Sequence, residues 1–306
     1  GNSLNFDNDY FNLFPSLIIS QTLKANTTLK LSYNKRMTRP SLAFLNPFLN
    51  DADPLNQSAG NPLLDPELSD NIELGYSTFI KGSIINASIF YRQTNDIIES
   101  FYSTRSSLVN GVQTKTGFTT FQNIGTSESY GFNIFGSYNP KPKWTLMGNF
   151  GLNTYEVFNE QTSVSTGTFA NFNVFVRSAF SFKGGWNAEV FGVMTSPRRT
   201  FQGVTESLQF YGGAIKKDIM KKKATLGLNV FNVFARDLHI ETTNSSPSFL
   251  QRTNIFYPIR SFGLNFSYNF GKINYNAKPK AKKVNNDDLK REEQGGQMGG
   301  IGGSGN

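Results

Sequence analysis

The chain has 306 residues, with 30 Lys and Arg against 22 Asp and Glu, no Cys and a single His. The absence of Cys excludes disulfide scaffolds, thiolate metal sites and Cys nucleophiles, and one His leaves little material for histidine-based metal or acid–base chemistry. Aromatic residues make up 14% of the chain and charged residues only 17%, below the roughly 25% of charged residues in ordinary soluble domains. This composition argues against most enzyme classes and against an ordinary soluble surface.

Strict two-residue alternation of apolar and polar residues runs through most of the chain. In the middle, Phe172, Val174 and Val176 alternate with Asn171 and Asn173. A period of two predicts β-strands with one apolar and one polar face, and helical spacing explains none of these segments. We predict about eleven strands, at 13–22, 27–37, 70–80, 84–100, 118–138, 144–158, 168–182, 186–202, 206–219, 223–243 and 250–271.

Short and long connections alternate between these strands. Short basic turns are predicted at 24–26, 81–83, 139–143, 183–185 and 220–223. Longer polar loops are predicted at 38–69, 103–117, 159–167, 202–206 and 244–249. Short turns at one end and longer loops at the other indicate an antiparallel up-and-down meander.

The end of the chain differs in character from the rest. Residues 272–306 are rich in Lys and then in Gly, show no alternation and offer little apolar surface to bury. We therefore predict strands over 1–271 and a disordered tail over 272–306.

The composition of the polar face distinguishes a membrane barrel from a soluble sandwich. Asn, Ser, Gly and Thr dominate that face rather than Lys and Glu, and Trp144 and Trp186 directly follow short turns. Aromatic side chains at strand ends are typical of the girdles of outer-membrane barrels. The longest apolar run is four residues, 42–45, whereas a membrane-spanning helix needs about 20. We predict an all-β fold, an antiparallel up-and-down transmembrane β-barrel in the outer membrane, in contact with outer-membrane lipid.

The number of predicted strands indicates that the chain supplies only part of this barrel. An unpaired amide in hydrocarbon costs several kcal/mol, so spanning strands must form a closed barrel. Bacterial barrels have even strand numbers, and eleven strands therefore imply further strands upstream. The final strand is expected to run toward the short turns, which places the tail in the periplasm.

Four segments carry a resemblance to a known family. They are YFNLFPSLIISQTL (10–23), LKLSYNKRMTRPSLAFLNPF (29–48), GNPLLDPELSDNIELGYSTF (60–79) and SFGLNFSYNFGK (261–272). The chain resembles, over 10–272, the C-terminal barrel of TonB-dependent outer-membrane receptors of the type common in Bacteroidetes. The elements R-x-x-RP, LNP and GNP-x-L-x-PE are the most specific.

The resemblance implies a function and a set of partners. Such receptors have a 22-stranded barrel filled by an N-terminal plug, so the chain would be the C-terminal half of one. The partners would be the missing N-terminal barrel half and plug, the TonB complex through an upstream segment, and a surface lipoprotein as a further candidate. The implied function is TonB-dependent uptake of a ligand too large for passive porins.

Two groups of polar residues are candidate site residues. In the longest loop and at its borders they could form the wall of a ligand vestibule, or they could only fold the loop through turns and Arg–carboxylate contacts. The charges assigned to the lumen could contact a ligand or plug, or could pair with one another across strands. The loop candidates are Arg36, Arg39, Asn46, Asn61 and Glu67, and the lumen candidates are Lys30, Glu73, Arg92, Glu128, Arg177 and Glu189.

No catalytic, cofactor-binding or metal-binding residues are predicted. His239 has no second His or Cys nearby, and nothing sets the separation of Glu73 and Glu189 as a catalytic pair. The lysines at 216–223 are interpreted as a solvated rim at a turn, so no nucleic acid is expected. Two other readings stay open: a structural or interaction barrel that transports nothing, and a soluble β-rich carbohydrate-binding module.

Overall fold

The computed structural model describes residues 10–23, 26–160, 162–246, 249–270 and 289–290. It is built almost entirely of strands, with one short helix, α1 (Leu42–Leu45), and two 3-10 turns at Lys183–Gly185 and Met220–Lys222. No helix among the described residues is both long and apolar enough to cross a lipid bilayer. The strands are β1 (Ser16–Thr22), β2 (Thr27–Pro40), β3 (Asn56–Ser58), β4 (Glu67–Ile80), β5 (Ser83–Asn95), β6 (Ile98–Val109), β7 (Val112–Asn123), β8 (Gly125–Lys141), β9 (Trp144–Asn159), β10 (Val164–Ser165), β11 (Phe169–Ser181), β12 (Trp186–Thr195), β13 (Arg198–Arg199), β14 (Gly203–Thr205), β15 (Gln209–Ile219), β16 (Ala224–Phe231), β17 (Asp237–Ser246), β18 (Phe249–Pro258), β19 (Ser261–Tyr268) and β20 (Leu289–Lys290).

Eleven long strands form one antiparallel sheet in chain order. The order is β1-β2-β4-β5-β8-β9-β11-β12-β15-β16-β19, which is the predicted up-and-down meander with the predicted number of strands. Within the described residues β1 and β19 form the two edges of this sheet, and no pairing joins them. The sheet is therefore open along two edges.

The short connections confirm four of the five predicted turns, and residues 24 and 25 of the turn predicted at 24–26 lie outside the described residues. Ile80 pairs with Ser83, which leaves a two-residue loop of Lys81 (φ 49°) and Gly82 (φ 80°). Positive φ at both central residues is the requirement of a type I′ hairpin turn, whose twist matches that of the flanking strands. Because successive strands are antiparallel, all five short turns lie at the same end of the sheet.

The main sheet has an apolar and a polar face in register across many strands. Direct cross-strand partners on the apolar face continue through seven strands: Leu29, Tyr76, Ala87, Ile134, Phe150, Val174 and Met194. On the polar face the next row is Lys30, Gly75, Ser88, Asn133, Gly151, Asn173 and Thr195. Many apolar-face side chains are exposed, with Ile89 at 59% and Leu264 at 86%. This face has no protein layer covering it within the described residues.

Five of the predicted strands are interrupted in the structure, although the alternation in the sequence continues through each of them. Segments 84–100, 118–138, 186–202, 223–243 and 250–271 end or restart near 96, 124, 196, 232 and 259. Backbone geometry explains three of these breaks, because Asp96 (φ 55°), Gly125 (φ 129°) and Asn232 (φ 42°) lie at positive φ. Beyond each break the chain leaves the main sheet.

The segments beyond these breaks, together with β3 and β14, form two small sheets at the long-loop end. One contains β3, β7 and β6, and the other contains β13, β14, β17 and β18. The predicted loops 103–117 and 244–249 are thus parts of hairpins; the first turns through Asn110 and Gly111, both at positive φ. We call this part of the molecule the loop layer, defined as residues 41–66, 96–124, 196–208, 232–246 and 249–260.

Most of the buried apolar core of the described residues lies in or next to the loop layer. One cluster contains Phe44, Leu64, Ile98 and Phe121, and the rings of Phe44 and Phe121 stack with centroids 4.0 Å apart. A second cluster joins Ile97 and Ile124 to Val157 at the end of β9. The loops are consequently packed as a structured layer, while the strands below them carry exposed apolar residues.

The predicted tail lies almost wholly outside the described residues. Its described part is β20, where Leu289 and Lys290 pair in parallel with Arg39 and Pro40. That pairing is at the long-loop end of β2, whereas the periplasmic prediction for the tail concerns the short-turn end. The tail's location and disorder therefore remain predictions.

Candidate functional site on the polar face and in the loop layer

A hydrogen-bonded row crosses β2, β4 and β5 on the polar face. Asn34, Asn71 and Arg92 are direct cross-strand partners. Asn71 Nδ2 donates to Asn34 Oδ1 at 3.3 Å, and Arg92 Nε donates to Asn71 Oδ1. Arg36 Nε donates to the same Asn34 oxygen at 3.2 Å. These four residues, here called the arginine–asparagine array, hold two guanidiniums on one face through their Nε atoms.

Neither guanidinium of the array has a carboxylate partner within the described residues. Ion pairs of other lysines and arginines there include those of Lys35 with Asp70, of Arg177 and Lys216 with Glu189, and of Arg236 with Asp237. On the same face, Glu73 lies two residues from Asn71 on β4, and the buried Glu67 lies two residues from Ser69, the partner of Arg36. Lys30, Arg36 and Arg92 together outnumber these two carboxylates, which leaves an excess of positive charge on this part of the face.

A second charged group lies further along the same face. Glu189 accepts hydrogen bonds from Arg177 and, at 3.2 Å, from Lys216. The structure therefore brings two predicted lumen residues together and adds Lys216, which sequence reasoning had assigned to the rim. Here the charges pair across strands.

The prediction for Glu128 is wrong. Glu128 pairs with Gln93, and its neighbour on the same face, Tyr130, packs on Tyr91 with ring centroids 4.8 Å apart. Glu128 therefore shares the apolar face of these tyrosines, at the loop end of the strand. Glu128 was assigned to the lumen because it is charged. The two-residue period of the strand, counted from Tyr130, places it on the apolar face instead.

Three of the predicted loop residues hold the loop layer together. Asn46 Oδ1 accepts the amide of Phe48 at 3.1 Å, and Asn61 Nδ2 donates to the carbonyl of Phe121 at 3.1 Å. Glu67 is buried, and its Oε1 accepts the amide of Ile98 at 2.7 Å. These contacts support the loop-folding interpretation of Asn46, Asn61 and Glu67.

The two arginines of the R-x-x-RP element differ from one another. Arg36 is exposed and belongs to the array. Arg39 is half-buried at the end of β2, where β20 pairs with it. Of the two, Arg36 is the exposed residue that belongs to the array on the polar face.

Long-range side-chain contacts that sequence reasoning missed join the parts of the loop layer. Gln202 accepts the amide of Tyr102 at 2.7 Å and donates to its carbonyl at 3.2 Å, as a paired strand would. Arg105 donates to Gln57 through two nitrogens at 3.0 and 2.6 Å. Partners 48 and 100 residues apart leave no local signal in the sequence.

A shallow cleft of about 220 Å³ opens between β13, β14, β17 and the start of β11. The guanidinium of Arg199 lies 4.6 Å from the centroid of Phe169 at its wall. Thr166, Thr200, Thr243 and Ser245 are among the residues that line it, together with Phe201 and Val204. The cleft therefore has a lining of mixed polar and apolar residues.

The short-turn end carries the predicted aromatic residues. Trp186 is 46% exposed, and Lys217 Nζ lies 4.7 Å from its ring centroid while donating to the carbonyl of Gly184 at 2.7 Å. Trp144 stacks on Phe180 at 5.2 Å. An exposed aromatic ring beside a basic side chain suits the boundary between lipid and water.

The described residues include no group of three or more His, Cys, Asp or Glu side chains that could hold a metal ion. His239 bonds to Asn254 at 2.7 Å and stacks on Phe256 with centroids 4.7 Å apart. These contacts give the ring a packing role within the β17–β18 hairpin.

Comparisons with solved structures show the fold. The siderophore receptor PirA from Pseudomonas aeruginosa matches with a TM-score of 0.55 and 16% identity, over 73% of this chain and 39% of that one. The ferric enterobactin receptor PfeA from the same species, as a Q482A mutant in complex with enterobactin, gives 0.57 and 16% over 83% and 40%. The copper transporter OprC gives 0.58 and 14% over 83% and 39%. The chain thus spans about 40% of the length of these proteins.

Sequence comparisons show the family. No curated protein sequence matches the chain. A family model described as the outer membrane protein beta-barrel family matches residues 1–268, which covers every strand of the main sheet. Together with the open meander and its uncovered apolar face, this match shows that the chain belongs to the outer membrane protein beta-barrel family and lies in the outer membrane.

Proposed function

We propose that the complete protein containing this chain is an outer-membrane receptor that takes up its ligand with energy delivered through TonB. The observation that carries the proposal is the open eleven-stranded meander, which matches about 40% of the length of receptors and a transporter. In this proposal the remaining strands and a plug come from outside the chain, and outer-membrane lipid covers the apolar face.

The polar face and the loop layer have different tasks in this proposal. The loop layer, fixed by Asn46, Asn61 and Glu67, forms the wall of an outer vestibule. The polar face, with Lys30, Glu73 and the array, lines the lumen through which the ligand passes. No catalytic step or cofactor is required, and the short-turn end faces the periplasm.

An uptake assay tests the proposal. Cells with and without the gene are grown in a defined mixture of candidate solutes, and depletion of each solute is followed with and without a protonophore. We expect at least one solute to be depleted only by energised cells that carry the gene, and deletion of TonB to abolish this difference. Equal depletion by both strains for every solute would instead favour a structural or interaction barrel.

A structured loop layer keeps that second candidate open. A layer with its own apolar clusters and cross-linking side chains suits a rigid surface for a partner such as a surface lipoprotein. Affinity purification from cross-linked cells separates the candidates, since a stoichiometric surface partner without ligand uptake favours the interaction barrel.

A further inference from the structure

We propose that the arginine–asparagine array is a binding site for oxyanion groups, such as carboxylate or phosphate, of a small anionic ligand inside the barrel. This inference rests on the proposed function in placing the polar face toward the lumen. It adds a chemical class of ligand and the residues that recognise it.

The array is held in place by its own hydrogen bonds. Asn34 Oδ1 accepts from both Arg36 and Asn71, and Asn71 Oδ1 accepts from Arg92. An amide oxygen can only accept, so these bonds fix the orientation of both asparagine side chains. The two guanidiniums are therefore positioned before any ligand arrives, which lowers the entropic cost of binding.

The guanidiniums keep their best anion-binding atoms available. Both use Nε within the array, and the structure shows no hydrogen bond from the Nη atoms of Arg36 or Arg92 to another described residue. A guanidinium binds carboxylate or phosphate most strongly through a fork of two parallel N–H donors. Both side chains are exposed on the face.

The charge balance also calls for an anion. An uncompensated charge becomes costly once it is enclosed away from bulk water. Arg177, on the same face, meets this requirement through Glu189, whereas the array has no such carboxylate within the described residues. A closed barrel would enclose the array further, so an anion supplied from outside these residues would stabilise it.

A binding measurement on the complete protein in detergent tests the proposal. Citrate serves as the polycarboxylate probe and inorganic phosphate as the second probe, with glucose as the neutral comparison, all followed by isothermal titration calorimetry at low ionic strength. We expect saturable binding of the anions but not of glucose, and weaker binding as salt rises because the contacts are ionic. The double variant R36Q/R92Q should weaken citrate binding at least tenfold.

Matched variants separate geometry from net charge. R36K/R92K keeps both charges but loses the fork, so its citrate affinity should lie between those of the parent and the glutamine variant. K143Q removes a charge from the exposed turn before β9 and should change affinity less than twofold. Equal affinity of the parent and R36Q/R92Q would overturn the proposal.

An internal partner is the other outcome. If the parent binds neither anion and R36Q/R92Q lowers the melting temperature of the complete protein, the array pairs with a carboxylate of the protein itself, and the proposal is wrong. If the parent protein binds citrate but cells that carry the gene show no energised uptake of any solute, only the proposed function is contradicted.

Discussion

Single positions on β11 report which face of the sheet meets lipid. Val174 pairs with Phe150 and Met194 on the apolar face, and Asn173 pairs with Gly151 and Thr195 on the polar face. These neighbours have nearly the same depth in the sheet but opposite surroundings. A charge introduced at each position therefore compares lipid with lumen directly.

Replacing Val174 with Arg should destabilise the folded barrel by roughly 2–4 kcal/mol if the residue lies near the bilayer midplane, and Asn173→Arg should cost clearly less. The measurement is urea-dependent folding of the complete protein into lipid vesicles, followed by heat-modifiable migration on gels. Equal losses for the two variants would contradict the assignment of the faces.

Two carboxyl groups of the loops should respond to pH with opposite sign. Burial raises the pKa of Asp96, and the neighbouring carboxylates of Asp65 and Glu160 raise it further. A hydrogen bond from the Asn56 side chain lowers the pKa of Asp53, and the amide of Leu55 lowers it further. A raised pKa means that the folded loop binds the proton more tightly than the unfolded chain does, and a lowered pKa means the reverse.

The structure around Asp96 should therefore lose stability as the pH rises from about 4, the ordinary pKa of an Asp side chain, through the raised pKa of Asp96. Protection of the Ile97 amide, which bonds to the Gly125 carbonyl at 2.9 Å, reports this change in hydrogen exchange. Asp96→Asn should remove the dependence without strain, because Asn tolerates the positive φ at this position.

Asp53 provides the control of opposite sign. Protection of the Leu55 amide, which bonds to Asp53 Oδ1 at 3.0 Å, should fall as pH drops below about 4. If both amides changed in the same direction with pH, the loop carboxylates would not be the cause.

At the scale of elements, the loop layer is a packed unit distinct from the strands that carry it. Ile98 is 2% exposed within the cluster of Phe44, Leu64 and Phe121, whereas Leu108, on the same strand β6, is 76% exposed. Since the cluster includes no residue from the middle of the main sheet, its loss should leave the spanning strands intact.

Replacing Ile98 with Ala should destabilise the loop layer by about 2–5 kcal/mol, because a buried side chain leaves a cavity. Limited proteolysis of intact cells should then cut within residues 96–124, while heat-modifiable migration of the barrel is kept. Leu108→Ala is the matched control, and the protease should cleave this variant no faster than the parent protein. Loss of the folded barrel in the Ile98 variant would show that the two parts are not independent.

Alternation predicted the strands of the main sheet well and their ends poorly. The rows through Val174 and Asn173 follow the parity of the sequence, because each side chain alternates between the faces. The alternation of apolar and polar residues continues beyond Asp96 and Asn232, however, because the residues after each break form hairpins whose strands also alternate. The Asn110–Gly111 pair between Val109 and Val112 was the local signal of such a hairpin.

The candidate site could be predicted only in part for a related reason. Arg36 and Arg92 were selected because they are charged and lie in or near strands, but their meeting depends on the register that aligns Asn34 with Asn71 and Asn71 with Arg92. Register is a property of strand pairing, and one residue of slip exchanges the faces of a whole strand. The sequence alone therefore identifies Arg36 and Arg92 as candidates but does not predict that they lie in one hydrogen-bonded array.

At the scale of the whole molecule, the two edges of the sheet decide what the chain can be. Along its outer side, each of β1 and β19 has no strand partner among the described residues, and unpaired backbone groups cannot face hydrocarbon, so each edge needs a partner strand. The edges either meet each other in an eleven-stranded barrel or pair with strands from outside the chain. Even strand numbers in bacterial barrels favour the second arrangement.

Cysteine cross-linking distinguishes these arrangements, because the chain contains no Cys of its own. In the complete protein, the pair Ser20→Cys and Lys30→Cys, which are direct partners on β1 and β2, should be joined by a short thiol-specific cross-linker. The pair Ser20→Cys and Ser267→Cys, one on each edge strand, should not be joined, since about half a barrel separates the edges in a 22-stranded closure. Efficient cross-linking of the second pair at low protein concentration would mean that β1 and β19 are neighbours, and the chain would then close a barrel by itself.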